Sequence, residues 1–282
     1  MAGIYVKNNG TWKLPKSVWV NQLGTWRVCK NVYVNKSGAW KELIKTVDIT
    51  SNQSNFNLHS YLGSPSQALS VVVNINSNVV ISSSNTSGNR TPAFTVGNFP
   101  TGSTVIINNN GYISGGGGFG GRGGGYIYGT RNYQTASNGT AGGVGITKGS
   151  SRNYDCTLVN TGTIAGGGGG GGGGQQRTVC PPQPPNIYFS GCGVVNGNTG
   201  GQGAGITGGS RTQGGSPMTF PDYRGNTYPN TATGGAGGAL GESGANNEIP
   251  NGVNVRTGGA GGKAITGNIE IAVSGTIIGV IG

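Results

Sequence analysis

The sequence predicts a mostly β and irregular protein with essentially no α-helix, laid out as N-terminal β-hairpin repeats, a small antiparallel β region and a C-terminal bundle of polyglycine type II helices. Three observations predict this. A gapless 14-residue repeat fills residues 1–45, short alternating runs of Val, Ile, Ser, Thr and Asn fill 46–110, and 53 of the 61 glycines fall in 111–282. Background glycine usage is about 7%. With only 33% of residues apolar, ordinary side-chain burial cannot hold most of this chain together.

The repeat units are Ile4 to Ser17, Val18 to Asn31 and Val32 to Lys45. Gly10, Gly24 and Gly38 share one position, Trp12, Trp26 and Trp40 follow two residues later, and Tyr5, Trp19 and Tyr33 stand near the start of each unit. A β-branched and aromatic run, a turn marked by glycine and a second short run reads as a hairpin. Single hairpins are marginally stable in water, so three stacked copies are expected to bury the aromatics as core. Lys13, Arg27 and Lys41 then take the opposite face of the second strand.

Residues 46–110 contain LSVVVNINSNVVISSS and STVIINNNGYISG, with Pro65, Pro92 and Pro100 in connections. These are expected to be antiparallel strands. The single histidine, His59, lies here.

Beyond residue 110 the glycines form blocks, among them Gly115 to Gly125, a nine-residue run at Gly166 to Gly174, Gly200 to Gly209, Gly234 to Gly238 and Gly258 to Gly267. Collagen is excluded because no Gly-x-y triplet is sustained. A flexible linker fits poorly, because NNNGYISGGGG, NTGTIAGGGG and the looser VSGTIIGVIG repeat one another, as do GVGITKG, GAGITGG and GKAITG. Extended helices with three residues per turn can instead pack backbone against backbone wherever no Cβ intervenes. At about 3.1 Å per residue the nine-glycine run spans roughly 28 Å. Rods of that length leave their connecting segments at the rod ends, where a rigid scaffold displays loops.

The segments Tyr126 to Asn138, Gln175 to Ser190, Ser210 to Thr233 and Gly241 to Arg256 are those connections. Tyr126, Tyr128, Tyr133, Tyr188, Phe189, Phe220, Tyr223 and Tyr228 gather in them with Arg131, Arg177, Arg211 and Arg224. Tyrosine with arginine is the composition of a recognition surface. Arg122, inside a glycine block, reads as a rim residue.

The formal charge is +11, concentrated in residues 1–45, which hold eight basic residues and one acidic residue. A basic patch attracts nucleic acid, anionic lipid or acidic protein. A glycine-rich nucleic-acid binder is one alternative, but only one Arg-Gly-Gly occurs and the cations are densest in the N-terminal repeat and not in the glycine blocks. An ice-binding or structural polyglycine protein is another, and long aromatic, charged loops fit it poorly. An enzyme is not indicated, since seven acidic residues are scattered and His59 is alone, leaving no acid and base pair. Cofactors and metals are not expected, because Cys29, Cys156, Cys180 and Cys192 lack C-x-x-C spacing. Free thiols are expected, with a Cys180 to Cys192 clip left open. No segment of signal-peptide or membrane-spanning character is apparent, so synthesis in a cytoplasm without membrane insertion is expected.

NNNGYISGGGG, NTGTIAGGGGGGGGG and the later GGAGG and GITGG blocks resemble the tail-fibre tip adhesins of T-even-type bacteriophages, over roughly residues 105–282. That resemblance implies a polyglycine-helix sandwich and a virion protein made in the host cytoplasm, a monomer capping a trimeric fibre. It implies binding to outer-membrane protein or surface glycan through the loop residues named above, and no nucleic-acid partner. The N-terminal repeats depart from that family and resemble short Gly-x-Trp repeats of other phage tail proteins. Trp12, Trp19, Trp26 and Trp40 are therefore the candidates for fibre attachment. The resulting division is an attachment module at 1–45, a β-rich domain at 46–110 and a receptor-binding domain at 111–282.

Overall fold

The structure, a computed structural model, describes residues 6–8, 11–13, 19–28, 31–36, 39–83, 91–126, 133–150, 153–174, 220–221, 227–228, 234–247 and 256–282. Each 14-residue repeat forms an antiparallel hairpin: β1 (Val6–Asn8) with β2 (Thr11–Lys13), β3 (Trp19–Gln22) with β4 (Thr25–Val28), and β5 (Asn31–Lys36) with β6 (Ala39–Ile49). Register is conserved among them. Asn8 faces Thr11, Gln22 faces Thr25 and Lys36 faces Ala39, so each turn has two residues, and Trp12, Trp26 and Trp40 stand opposite Lys7, Asn21 and Asn35. In the second turn Leu23 and Gly24 have φ of 53° and 82°, the two positive values that a type I′ turn requires to match strand twist. The Gly24 amide donates to Asn21 Oδ1 at 2.9 Å.

The first two hairpins are separate two-stranded sheets, and Trp26, expected as core, is 64% exposed. The third is anchored because β6 runs on into the body of the protein.

There the strands expected to be antiparallel pair in parallel and wind as a three-sided solenoid. The first circuit is β6, β7 (Gln53–Ser54) and β8 (Phe56–Asn57), followed by the one-turn helix α1 (Leu58–Tyr61). The second is β9 (Ser70–Ile75), β10 (Val80–Ser82) and β11 (Phe94–Thr95). The third is β12 (Thr104–Asn109) and β13 (Tyr112–Ser114), an excursion containing the hairpin β14 (Gly125–Tyr126) and β15 (Tyr133–Gln134), then β16 (Ile146–Thr147). The fourth is β17 (Asp155–Asn160) and β18 (Thr163–Ala165), a longer excursion containing β19 (Phe220–Pro221) and β20 (Thr227–Tyr228), then β21 (Ile265–Thr266). The last is β22 (Glu270–Val273) and β23 (Thr276–Ile278), after which Ile281 bridges back to Ile265.

Stacked circuits make three parallel sheets, β6-β9-β12-β17-β22, β7-β10-β13-β18-β23 and β8-β11-β16-β21. In a strand alternate side chains face one way, so each sheet sends columns of side chains inward. Among them are Val47, Val73, Ile107 and Leu158; Ile81, Ile113 and Ile164; and Phe56, Phe94, Ile146 and Ile265. All are buried and belong to one core cluster. At the corner between the first two sheets, Asn109 Nδ2 donates to Asn160 Oδ1 at 2.7 Å, both residues fully buried. A Cβ on the following corner glycines, Gly111 and Gly162, would overlap backbone of the adjacent turn. This corner is the physical content of the Asn-x-Gly signature. The boundary expected near residue 110 falls within the third circuit, and the sheets continue across it.

Candidate functional site

The glycine blocks are excursions from one corner of the solenoid, the junction between the second and third sheets. Residues 115–124 leave the end of β13 and 166–174 leave the end of β18, so both set out from the solenoid. Their hydrogen bonds recur at every third residue: the amides of Gly115, Gly118, Gly121 and Gly124 donate to the carbonyls of Ala165, Gly168, Gly171 and Gly174. Three residues per turn is the period of an extended polyproline-type helix. Both numbers rise together, so these two segments run in parallel.

Residues 166–174 form the centre of the bundle and are buried throughout. Gly167, Gly170 and Gly173 donate to Gly143, Thr140 and Ser137, so segment 137–143 runs the opposite way. Gly235, Gly238 and Gly241 donate to Gly172, Gly169 and Gly166, again antiparallel. Gly169 and Gly172 donate to Glu242 and Ala245, which makes 242–247 parallel to the central rod. Gly259 and Gly262 donate to Gly170 and Gly167, which makes 256–263 antiparallel.

Three faces of the central rod meet three neighbours without side chains between them. A Cβ at Gly166, Gly169 or Gly172 would overlap the carbonyl oxygens of Gly262, Gly259 or Arg256. At Gly167, Gly170 or Gly173 it would overlap Gly116, Phe119 or Arg122, and at Gly168 or Gly171, Gly238 or Gly235. These glycines are needed for the missing Cβ, not for an unusual φ, since none of them has a positive φ.

The directions of the rods place the loops. Outgoing rods end at residues 124, 174 and 247, and incoming rods begin at 137, 234 and 256, so the segments between them depart from and return to the end remote from the solenoid. The turn at 239–242 is the exception. Gly241 (φ 70°) donates to Gly166, and a Cβ on it would meet Gly279 of the last solenoid turn. The loop expected at Gly241 to Arg256 is thus partly rod, and its far-end portion narrows to 248–255.

Among the expected recognition residues, Tyr126 and Tyr133 are register partners in β14–β15, and Phe220 and Tyr228 are partners in β19–β20. Tyr128, Arg131, Arg177, Tyr188, Phe189, Arg211, Tyr223 and Arg224 lie outside the described residues, as do Cys29, Cys180 and Cys192. Trp12, Trp19, Trp26 and Trp40 all fall on the N-terminal hairpin strands, away in sequence from these loops.

Reactive groups of the solenoid serve its packing. His59 meets Phe99 edge-on at 5.2 Å between ring centroids, and Phe99 meets Tyr154 at 5.6 Å. Buried Lys148 donates from Nζ to the Tyr154 carbonyl at 2.6 Å and lies 4.4 Å from the Tyr154 ring centroid. The Tyr154 hydroxyl sits against the carbonyls of Gly97 and Lys148, tying successive turns together. Burial pushes the Cys156 thiol up to about 12, against the opposing pull of Lys148. At neutral pH it is a protonated packing group and no nucleophile. Sequence reasoning missed the Lys148 and Tyr154 knot, whose two side chains meet only across a corner of the solenoid.

Rods that leave the solenoid and return to it make a scaffold able to display the segments between them. Residues 44–282 match the model of the phage tail fibre adhesin Gp38 family, and the chain belongs to that family. It is an adhesin of the phage tail fibre that recognises a receptor on the bacterial surface. No curated protein matches the chain. Among solved structures it is similar to a chain in the gp37-gp38 adhesin tip complex of the bacteriophage S16 long tail fiber, at 22% identity and a TM-score of 0.47, covering 86% of this chain and 83% of that one.

Proposed function

We propose that the protein sits at the tip of the tail fibre and contacts outer-membrane protein loops or surface glycan with the segments 124–137, 175–233 and 248–255. The observation that carries this is the alternation of rod directions about Gly166 to Gly174, which brings every one of these segments to the same end. Rods tied at every third residue position those ends, and the action we propose for the segments is binding without chemistry.

The N-terminal hairpins are the proposed attachment to a fibre protein. They lie mostly outside the family match, which begins at residue 44. Exposed Trp26 and Tyr33 (64% and 50%) offer apolar surface for a partner. Exchange of residues 210–233 for an unrelated sequence of equal length should change which bacterial cells the protein labels while leaving its melting temperature unchanged. If exchanges of all three far-end segments leave the labelled strains unchanged, the far end is not the receptor face.

A further inference from the structure

Three residues per turn, each with one outward amide and one outward carbonyl, give an extended helix six sides. The central rod at 166–174 has matched five of them. Its carbonyls accept from 115–124, 234–241 and 256–263, and its amides donate to 137–143 and 242–247. The remaining side belongs to the amides of Gly168, Gly171 and Gly174, which have no acceptor among the described residues although all three glycines are buried. A buried amide without an acceptor is destabilising, and such a group signals a missing partner.

Bonds among the neighbours locate that side. Segment 137–143 is tied to 115–124 by the Gly143 amide on the Gly116 carbonyl, and to 256–263 by the Gly142 amide on the Ala260 carbonyl. Segment 242–247 is tied to 256–263 by the Gly244 amide on the Gly259 carbonyl, and to 234–241 by the Ala245 amide on the Ala236 carbonyl. Around the central rod the order is therefore 115–124, 137–143, 256–263, 242–247 and 234–241. The unmatched side is the slot between 234–241 and 115–124.

Neighbours that accept from the central rod obey one rule: the residue before each acceptor is glycine. Gly139 precedes Thr140, Gly142 precedes Gly143 and Gly244 precedes Ala245, and a Cβ on any of these glycines would overlap a carbonyl oxygen of the central rod. The acceptors themselves carry side chains at Ser137, Thr140 and Ala245. Outside the described residues one run has glycine at three successive third positions, Gly197, Gly200 and Gly203, followed by Asn198, Gly201 and Ala204. It leads into GAGITGG, the third copy of the signature whose other copies, GVGITKG and GKAITG, close rods at the solenoid end with Ile146 in β16 and Ile265 in β21. We propose that residues 197–205 fill the slot as the sixth neighbour, antiparallel to the central rod. The carbonyls of Ala204, Gly201 and Asn198 accept from the amides of Gly168, Gly171 and Gly174. Residues 206–209 then stand at the solenoid end, and 210–233 is ample for the return, since about nine residues at ~3.1 Å each cover a rod. The far-end segment 175–233 becomes two, 175–196 and 210–233, a consequence that rests on the reading of the far end given above.

Amide hydrogen exchange of the full-length protein, read by mass spectrometry, is the test. Residues 197–205 should exchange about a hundredfold more slowly than 210–219. Gly200→Ala should lower the melting temperature by about 4 °C or more and raise exchange in the peptide covering 166–174. Gly201→Ala, one residue on and at an acceptor place, should leave both readouts at wild type. Equal exchange in 197–205 and 210–219 would overturn the proposal, as would equal melting of the two alanine variants. Failure of Gly200→Ala to fold beside a wild-type-like Gly201→Ala would support it, and the wild-type exchange pattern decides without either variant. Protection of 166–174 that falls on dilution would assign the slot to a second copy of the chain and overturn the proposal. None of these readouts uses cells, so the receptor-contact reading stands or falls separately.

Discussion

The solenoid and the glycine bundle share one scheme of backbone pairing and differ in what fills the space between strands. Both link each segment to its neighbours by hydrogen bonds between residues far apart in the chain. In the solenoid the interior is side chain, with Leu158, Ile107, Ile164 and Phe94 in columns. In the bundle the interior is main chain, and the carbonyl of Phe119 occupies the place where a Cβ of residue 170 would be. The two regions should therefore respond to mutation in opposite senses. Removing atoms harms the solenoid, and adding them harms the bundle.

Gly170→Ala should have the largest effect. The inserted methyl would lie well inside the 3.0 Å that real Cβ contacts observe, and against backbone that cannot rotate away. Overpacking usually costs about 1–3 kcal/mol and occasionally more, and a fully buried, five-neighbour rod should sit at or above the top of that range. The measurements are thermal melting and cell binding, and both should fall. A variant that melted and bound like wild type would break the comparison at its centre.

Leu158→Ala is the converse change. It empties a fully buried position of the solenoid core, where such truncations cost about 2–5 kcal/mol. A value near the middle of that range is expected in denaturant unfolding. Leu158→Gly should be worse still, since it removes one more carbon and loosens the strand backbone.

The smallest effect sharpens the contrast. Gly24→Ala puts the same methyl on a hairpin glycine with nothing within 4 Å, so only its φ of 82° resists. A cost of about 1 kcal/mol is expected, confined to the hairpin. Loss of cell binding in this variant would show that glycine matters here for reasons other than space.

Much of this was legible in the residues. Gly10, Gly24 and Gly38 with their tryptophans announced three hairpins of one register, and the run at 166–174 announced a segment packed backbone on backbone. The solenoid was visible only as a symptom. NNNGYIS and NTGTIAG are successive turns of it, with Asn109 above Asn160 and Ile113 above Ile164, and GITKG and KAITG supply the third sheet at Ile146 and Ile265. Read as flanks of glycine blocks, these copies did not disclose that they stack. The stretch around Val71, Val73 and Ile75 suggested antiparallel pairing because alternation reports which face is buried and is silent about the partner.

The sequence by itself determined the local units, namely hairpins, short strands and rods, because each depends on a period of two or three residues or on a turn within a few positions. The tertiary structure alone decided how they combine. Val73 lies beside Ile107, and Ile107 beside Leu158, through contacts with distant residues that no local pattern encodes. It also decided the direction of each rod: a glycine rod carries no side chain to specify its direction, so its orientation comes from where the solenoid releases it and takes it back.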